Sequence, residues 1–460
     1  MASQYAFARA LARVRLLALA LAGLLAPLAA SRDAAANGRP PGTSTIHFRR
    51  GQEREIAAGM SFGLLLSRDN GATWSWMCET AVGYGGTYDP DYEFTSTGAL
   101  FATTFTGLKV QRDGCVFQPQ SGANFVSTIT QGTDGRLYYG AAEPAQSGSP
   151  GDAKIYRSAT DGATWVPSTM PPGMVGDWWS SLEVAPSSPS RLYLSGYRFV
   201  SSPSGNVKQF LLFRSDDAGD TWQQLPTTQL ATMPNSTIEI AGISYTDPDL
   251  VFARVKLADN SISDAIYRSA DAGATWTTTP ILTKASSISF LVRRSGELLA
   301  ATQTLGAVRS TDNGVTWLDL ASPPHINCLA ENGAGEVWAC TQNYGGVQAM
   351  ADGYGIMKST DLATWSPVLR YQDIKAPVAC PEGTPQRQSC DLELWCGLCS
   401  QLGCQSGRPE CAPVTEPVPD GGGGGGKGCC ESSATAAPGA LLLVIGVGVL
   451  LLRRPRRPRR

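Results

Sequence analysis

The chain has 460 residues, 42% of them hydrophobic and 17% charged, with a formal net charge of −2. It holds two histidines, His47 and His325, too few to favour a His-based zinc centre or a Ser-His-Asp triad. Arginine is in surplus at the two ends, so the span 37–430 is acidic and lacks the electrostatic footprint of a nucleic-acid binder.

The N-terminus has the pattern of a secretory signal. Arg9, Arg13 and Arg15 precede the apolar run LLALALAGLLAPLAA at 16–30, and small residues follow, placing cleavage after Ala30 or Ala36. No lipobox cysteine follows the run.

From residue 67 a short box recurs: SRDNGATW (67–74), SATDGATW (158–165), SDDAGDTW (215–222), SADAGATW (269–276), STDNGVTW (310–317) and the shortened STDLATW (359–365). A worn copy, VQRDGCVF (110–117), keeps Gly114 and places Phe117 where the tryptophan belongs. The closing aromatics recur at intervals from 41 residues (Trp276 to Trp317) to 57 (Trp165 to Trp222), a period that marks a solenoid or a propeller. Repeat 3 decides between them. FVSTIT, RLYYG and KIYRS read as three short strands, and Trp165 opens a fourth. Four short strands per repeat, with no sustained 3.6-residue period, predict an all-β, seven-bladed β-propeller. Closure at seven requires residues 45–60 to supply the first blade's early strands; otherwise six blades and a fragment result.

Within a box the Asp can accept backbone N–H groups of its own turn, the Gly permits positive φ, and the Trp can pack between blades. The expected framework is Asp69, Gly71 and Trp74; Asp161, Gly162 and Trp165; Asp217, Gly219 and Trp222; Asp271, Gly273 and Trp276; Asp312, Gly314 and Trp317; and Asp361 with Trp365. Thr160 replaces the usual Asp in repeat 3, and the last copy lacks its Gly. Over roughly residues 45–370 these motifs resemble the Asp-box, or BNR repeat, of sialidases, sortilin-like receptors and photosystem II assembly-factor-like proteins. The resemblance implies the propeller and no particular function, because the box is a folding device.

A sialidase would also bring a tyrosine nucleophile, an arginine triad and an F/Y-R-I-P motif. The nearest match, FRRG at 48–51, lacks Ile-Pro. Arg157, Arg214, Arg268 and Arg309 each stand just before a box serine, so they read as repeat features near the outer turn. No catalytic residue is carried over. The expected ligand face gathers long loops (141–153, 197–209, 256–264, 342–355) with Asp89, Asp91, Glu93, Asp177, Trp178, Trp179, Glu183 and Tyr197. There the tryptophans could stack on sugar rings or anchor a protein, and the acids could orient hydroxyls or act as acid and base. The plainer alternative puts Trp179 in the core, Trp178 between blades and the acids in solvent. No cofactor or metal is expected. The partners expected of a monomer are a glycan or a surface protein, with glycoside hydrolysis as the alternative activity.

Twelve cysteines in a secreted chain read as a disulfide framework. Cys328 and Cys340 lie on neighbouring strands and are expected to join; Cys78 and Cys115 are expected to pair as the remainder of the propeller. The six between 380 and 411 suggest a small knot or stalk beyond it, in a segment 376–414. A Pro/Gly linker (415–428) leads to Cys429 and Cys430, an apolar stretch at about 436–452 and the arginine cluster RRPRRPRR. The last 32 or so residues resemble the MYXO-CTERM tail of myxobacterial surface proteins. That resemblance implies a transmembrane sorting helix, a sortase-like processing protease acting near Cys429 or Cys430, and retention at the cell surface.

Overall fold

A computed structural model describes residues 39–411, apart from 87, 121–124, 143–152, 169–175, 204, 231–235, 258–262, 280, 283–284, 346–349, 406 and 409–410. The signal, the linker, Cys429, Cys430 and the apolar tail lie outside the described residues, as does much of the loop 141–153. Among the described residues no helix is long and apolar enough to cross a membrane.

Seven separate antiparallel sheets follow one another along the chain, each with its strands in sequence order. Their innermost strands are Thr43–Phe48, Tyr92–Phe94, Val126–Gln131, Trp178–Val184, Thr237–Ile243, Ser289–Val292 and Cys328–Glu331. The second strands are the apolar centre of each blade. Ile56–Met60, Leu100–Thr104 and Leu137–Ala141 are buried along their whole length, because blades cover them on both faces. Residues 43–60 do supply the first blade's early strands, and Thr43–Phe48 packs against Cys328–Glu331 to close the ring at seven. Phe48 meets Trp338 edge-on at 5.3 Å across that seam.

The boxes build the outer turns by one repeated set of hydrogen bonds. In the first blade the Gly71 N–H donates to Ser67 Oγ (2.9 Å), and the Thr73 N–H and hydroxyl donate to Asp69 (2.8 and 2.6 Å). Trp74 Nε1 closes the turn on the Gly71 carbonyl at 3.0 Å. The same pattern recurs around Asp217, Asp271 and Asp312. In blade 3 Thr160 accepts the Thr164 N–H at 2.9 Å in the aspartate's place, and in blade 7 Asp361 caps Ala363 and Thr364. Gly71 has φ of +83°, and a Cβ there would lie 2.7 Å from Val368 of the neighbouring blade, so the turn and the seam both require glycine.

The disulfides correct the sequence expectation. Cys78 and Cys115 do not join; Cys78 bonds Cys390 and Cys115 bonds Cys380, across 312 and 265 residues. Cys328–Cys340 forms as expected between paired strands. Only Cys396–Cys411 and Cys399–Cys404 lie within the C-terminal segment. That segment is therefore not a separate knot. Ala376–Pro377 adds a fifth, parallel strand to Ser75–Met77 of blade 1, and the helix Trp395–Leu402 buries Trp395 against Trp76 at 5.9 Å. Spacing could not show this, because cysteines at opposite ends of the chain meet only once the ring closes.

Candidate functional site

Up-and-down strands sort the connections onto two ends of the ring. Turns between first and second strands share one end with the boxes. Hairpins between second and third strands share the other with the links between blades. The candidate residues divide between this loop end and the central channel.

At the loop end an aromatic ladder crosses blades 2, 3 and 4. Tyr88 lies 4.5 Å from Phe105, and Phe105 stacks on Phe125 at 5.0 Å. Phe125 meets Trp178 at 5.5 Å, Trp178 runs parallel to Tyr197 at 6.5 Å, and Tyr197 meets Phe199 edge-on at 5.7 Å. Phe105 and Phe199 are more than half exposed, at 56% and 57%. The ladder extends outward because blade 4 has unusually long second and third strands, Leu192–Ser202 and Gly205–Ser215. The innermost strand stops pairing at Trp178↔Tyr197, so the pairs from Arg198↔Gln209 to Ser202↔Gly205 project beyond the blade. Val200 and Val207 pair across this hairpin and are both exposed.

The polar candidates at this end are already engaged. Asp89 takes two bonds from the Arg39 guanidinium, at 2.7 and 2.8 Å. Asp177 is fully buried and held by Arg198 at 2.8 and 2.9 Å. Trp179 is core, its Nε1 donating to the Ala153 carbonyl at 3.0 Å; a Cβ on Gly196 would meet its ring at 2.7 Å. One face of Tyr197 is covered by Lys208 Nζ, 4.0 Å from the ring centre.

Asp91, Glu93 and Glu183 face the channel. Asp91 accepts the Ile129 N–H at 3.0 Å, fastening blade 2 to blade 3; burial pushes its carboxyl up to about 7. Glu93 pairs with Arg50 at 3.3 Å, and burial raises it too. Glu183 has no hydrogen bond or ion pair among the described residues. Burial, and then the Asp91 and Glu93 charges, push it up to about 8 against the opposing pull of Arg50. It lines a cavity of about 300 Å³ with Arg50, Gln131, Tyr245 and Arg294. His47 is kept neutral by burial, its imidazole lowered to about 4. No group of acids, histidines and cysteines among the described residues has metal-binding geometry.

Sequence reasoning missed Phe105 and Phe125, and it held Phe199 only as part of the expected ligand-face loop 197–209 and Tyr88 only as the start of the entering segment YDPDYEF. For Phe199 the signal was the alternation in YLSGYRFVSS, which marks the long strand; the other rings join it only through the way successive blades pack. The box arginines, by contrast, were placed by their repeat position. Arg157, Arg214 and Arg268 each donate to a backbone carbonyl in the next blade's box turn: Ala218 (3.3 Å), Ala272 (3.4 Å) and Asn313 (2.7 Å). Arg309 turns instead to Glu297 of its own blade.

The fold is a β-propeller. No known protein family and no curated protein matches the chain. Solved structures do. A protein of unknown function from Dyadobacter fermentans is 14% identical over 65% of this chain and 89% of its own, with a TM-score of 0.37. YCF48 bound to D1 peptide is 15% identical over 53% and 66%, with a TM-score of 0.33. An ancestral GH74 enzyme is 11% identical over 72% of this chain and 54% of its own, with a TM-score of 0.37. Likeness at these identities does not extend to function.

Proposed function

We propose that this protein is a secreted recognition propeller, retained at the cell surface by its C-terminal tail, that binds a glycan or protein ligand on its loop end. The observation that carries the reading is the aromatic ladder from Tyr88 to Phe199, with two phenylalanines more than half exposed on a projecting hairpin. Apolar rings in water at this density mark a binding surface. Glycoside hydrolysis is the second reading, favoured by the unpartnered, upshifted Glu183 beside Asp91. Against it, Asp91 is used by a backbone N–H and Arg50 by Glu93.

The test is a glycan array and a pull-down from native surface extract with the purified full chain, run beside fluorogenic sialoside and xyloglucan substrates. Binding without turnover, lost in Phe105→Asp and Phe199→Asp, supports recognition. Turnover abolished by Glu183→Gln overturns it in favour of the hydrolase. Retention has its own test: Cys429→Ser with Cys430→Ser should release the protein from the cell surface, and unchanged fractionation rejects the sorting reading.

A further inference from the structure

The central channel opens on the box side of the ring as well as at the loop end. Each innermost strand runs into a turn there, and the second residue after the strand holds an equivalent place in every blade. Arg50, Thr133, Pro186, Tyr245 and Arg294 are such residues, and with Glu183 they line one cavity of about 300 Å³. Residues from blades 1, 3, 4, 5 and 6 can meet only around the axis, so the cavity is the box-side mouth of the channel. The boxes repeat nearly unchanged from blade to blade, as a folding device must. These five positions hold two arginines, a threonine, a proline and a tyrosine, so the repeat does not dictate them.

The wall is fixed by its own hydrogen bonds. Arg50 pairs with Glu93 at 3.3 Å and donates from Nη2 to the Gln131 carbonyl at 2.6 Å. Thr133 Oγ1 donates to the Pro186 carbonyl at 3.2 Å, tying the turns of blades 3 and 4 together. In blade 5 the Thr246 and Asp247 N–H groups both donate to Ser244 Oγ at 3.3 Å, which sets the turn that carries Tyr245. The cavity is pre-formed, as small-molecule sites usually are.

Its charges are close to balanced. Glu93 answers Arg50, and Glu53 lies 3.6 Å from Arg294. Burial, and then the Asp91 and Glu93 charges, keep the proton on Glu183 at neutral pH. Its carboxyl has no hydrogen bond or ion pair among the described residues, and in the protonated form it both donates and accepts. The Tyr245 hydroxyl has the same two roles and no hydrogen bond among the described residues; the residue is 37% exposed. Its ring and Pro186 supply an apolar wall. Free donors and acceptors beside an aromatic ring, without surplus charge, match the surface of an uncharged, hydroxyl-rich ring.

We propose that the box-side mouth of the channel binds one unit of a neutral sugar, with its hydroxyls on Glu183 and Tyr245 and its C–H face against the Tyr245 ring. The site is at the opposite end of the ring from the aromatic ladder and does not depend on the function proposed for that surface.

The experiment is saturation-transfer NMR titration of the full chain at pH 7 with glucose, galactose, mannose and N-acetylglucosamine, each free and as its methyl glycoside. Saturable binding in the millimolar range is expected for at least one of them, the level of a single small neutral ligand at a half-open site. Methyl glycosides that bind as well as the free sugars assign the terminal unit of a glycan; binding of the free sugars alone assigns a monosaccharide. Tyr245→Ala, at a position more than a third exposed, should fold normally and weaken binding at least about fivefold. Glu183→Leu removes both hydrogen-bonding roles and weakens it at least about tenfold, whereas Glu183→Gln keeps a donor and an acceptor and stays within about threefold. Phe105→Asp with Phe199→Asp leaves it unchanged. No saturable binding of any of these sugars overturns the proposal, as does an affinity untouched by Tyr245→Ala. Equal loss in Glu183→Gln and Glu183→Leu, or at least about tenfold tighter binding of glucosamine or glucuronate than of glucose, would show that charge rather than hydroxyl recognition governs the site. Loss of binding in the Phe105 and Phe199 variant alone would move the sugar to the ladder and reject the channel site.

Discussion

Single carboxylates do two opposite kinds of electrostatic work in this ring. Asp69, Asp217, Asp271, Asp312 and Asp361 receive N–H and O–H donors in their box turns, which hold their carboxylates down; Asp312 falls to about 2. A depressed folded-state value contributes stability that is present above the ordinary carboxylate range and is lost as pH falls through the folded value. Asp312→Asn should therefore shrink the loss of Tm between about pH 5 and about pH 2, measured by thermal unfolding. Asp271→Ala removes the Thr275 N–H and hydroxyl contacts and should cost ~1 kcal/mol while leaving ligand binding at the loop end intact. A stable Asp271→Ala protein that had lost only binding would contradict the structural role of the boxes. Glu183 behaves in the reverse sense. Its folded value of about 8 lies above the ordinary range, so the folded state holds a proton that it loses as pH rises. Stability tied to that proton is complete below the ordinary carboxylate value and disappears through about pH 8. Glu183→Gln should raise Tm at about pH 9 and leave it unchanged near pH 4; equal effects at both would refute burial of the acid in the channel.

At the scale of elements, blade 4's long hairpin and the arginine clamps show how one repeat is put to different uses. The hairpin's inner half is ordinary blade, with Leu194, Leu211 and Phe213 in the core. Its outer half has no blade to pack on and exposes Phe199, Val200 and Val207. Shortening it by deleting residues 199–207 should leave unfolding nearly unchanged and abolish partner capture, since the removed residues bury little surface. The clamps are the converse, contributing to the ring and to no ligand. Arg268→Ala removes a 2.7 Å bond to the Asn313 carbonyl and should cost about 1 kcal/mol. The loss should register as faster amide exchange at the blade 5–6 seam. The repeat position of Arg157, Arg214 and Arg268 was legible in the sequence because the box fixed their register. Which carbonyl each one meets was not, because it belongs to the next repeat.

For the whole molecule, the problem is closure. A ring of seven blades has one seam between its first and last repeats, and here every strand of blade 1 except Ala376–Pro377 comes from the N-terminal side. Cys78–Cys390 and Cys115–Cys380 fasten the returning chain to blades 1 and 2. Links that close loops this long restrict the unfolded chain strongly, about 5–6 kcal/mol each on loop-entropy grounds. Cys380→Ser with Cys390→Ser should lower Tm well beyond the loss from Cys328→Ser, whose bridge closes only a short hairpin. Equal losses from the two variants would show that the long bridges are not what holds the ring shut.

The sequence by itself determined the blade. Box chemistry, strand alternation and spacing are local, and local rules place four strands and a turn in each repeat wherever the repeat sits. The chain's own count of boxes then led to seven. Tertiary structure alone decided what depends on contacts between repeats. It joined Cys78 to Cys390 rather than to Cys115, turned Asp89 and Asp177 into ion-paired supports, and raised Glu183 by burying it near two other acids. It also assembled Tyr88, Phe105, Phe125, Trp178 and Phe199 into one surface. The physical reason is the same in each case: hydrogen bonding within a turn is set over a few residues, whereas burial, charge pairing and sulfur contact are set by segments that become neighbours only when the ring closes.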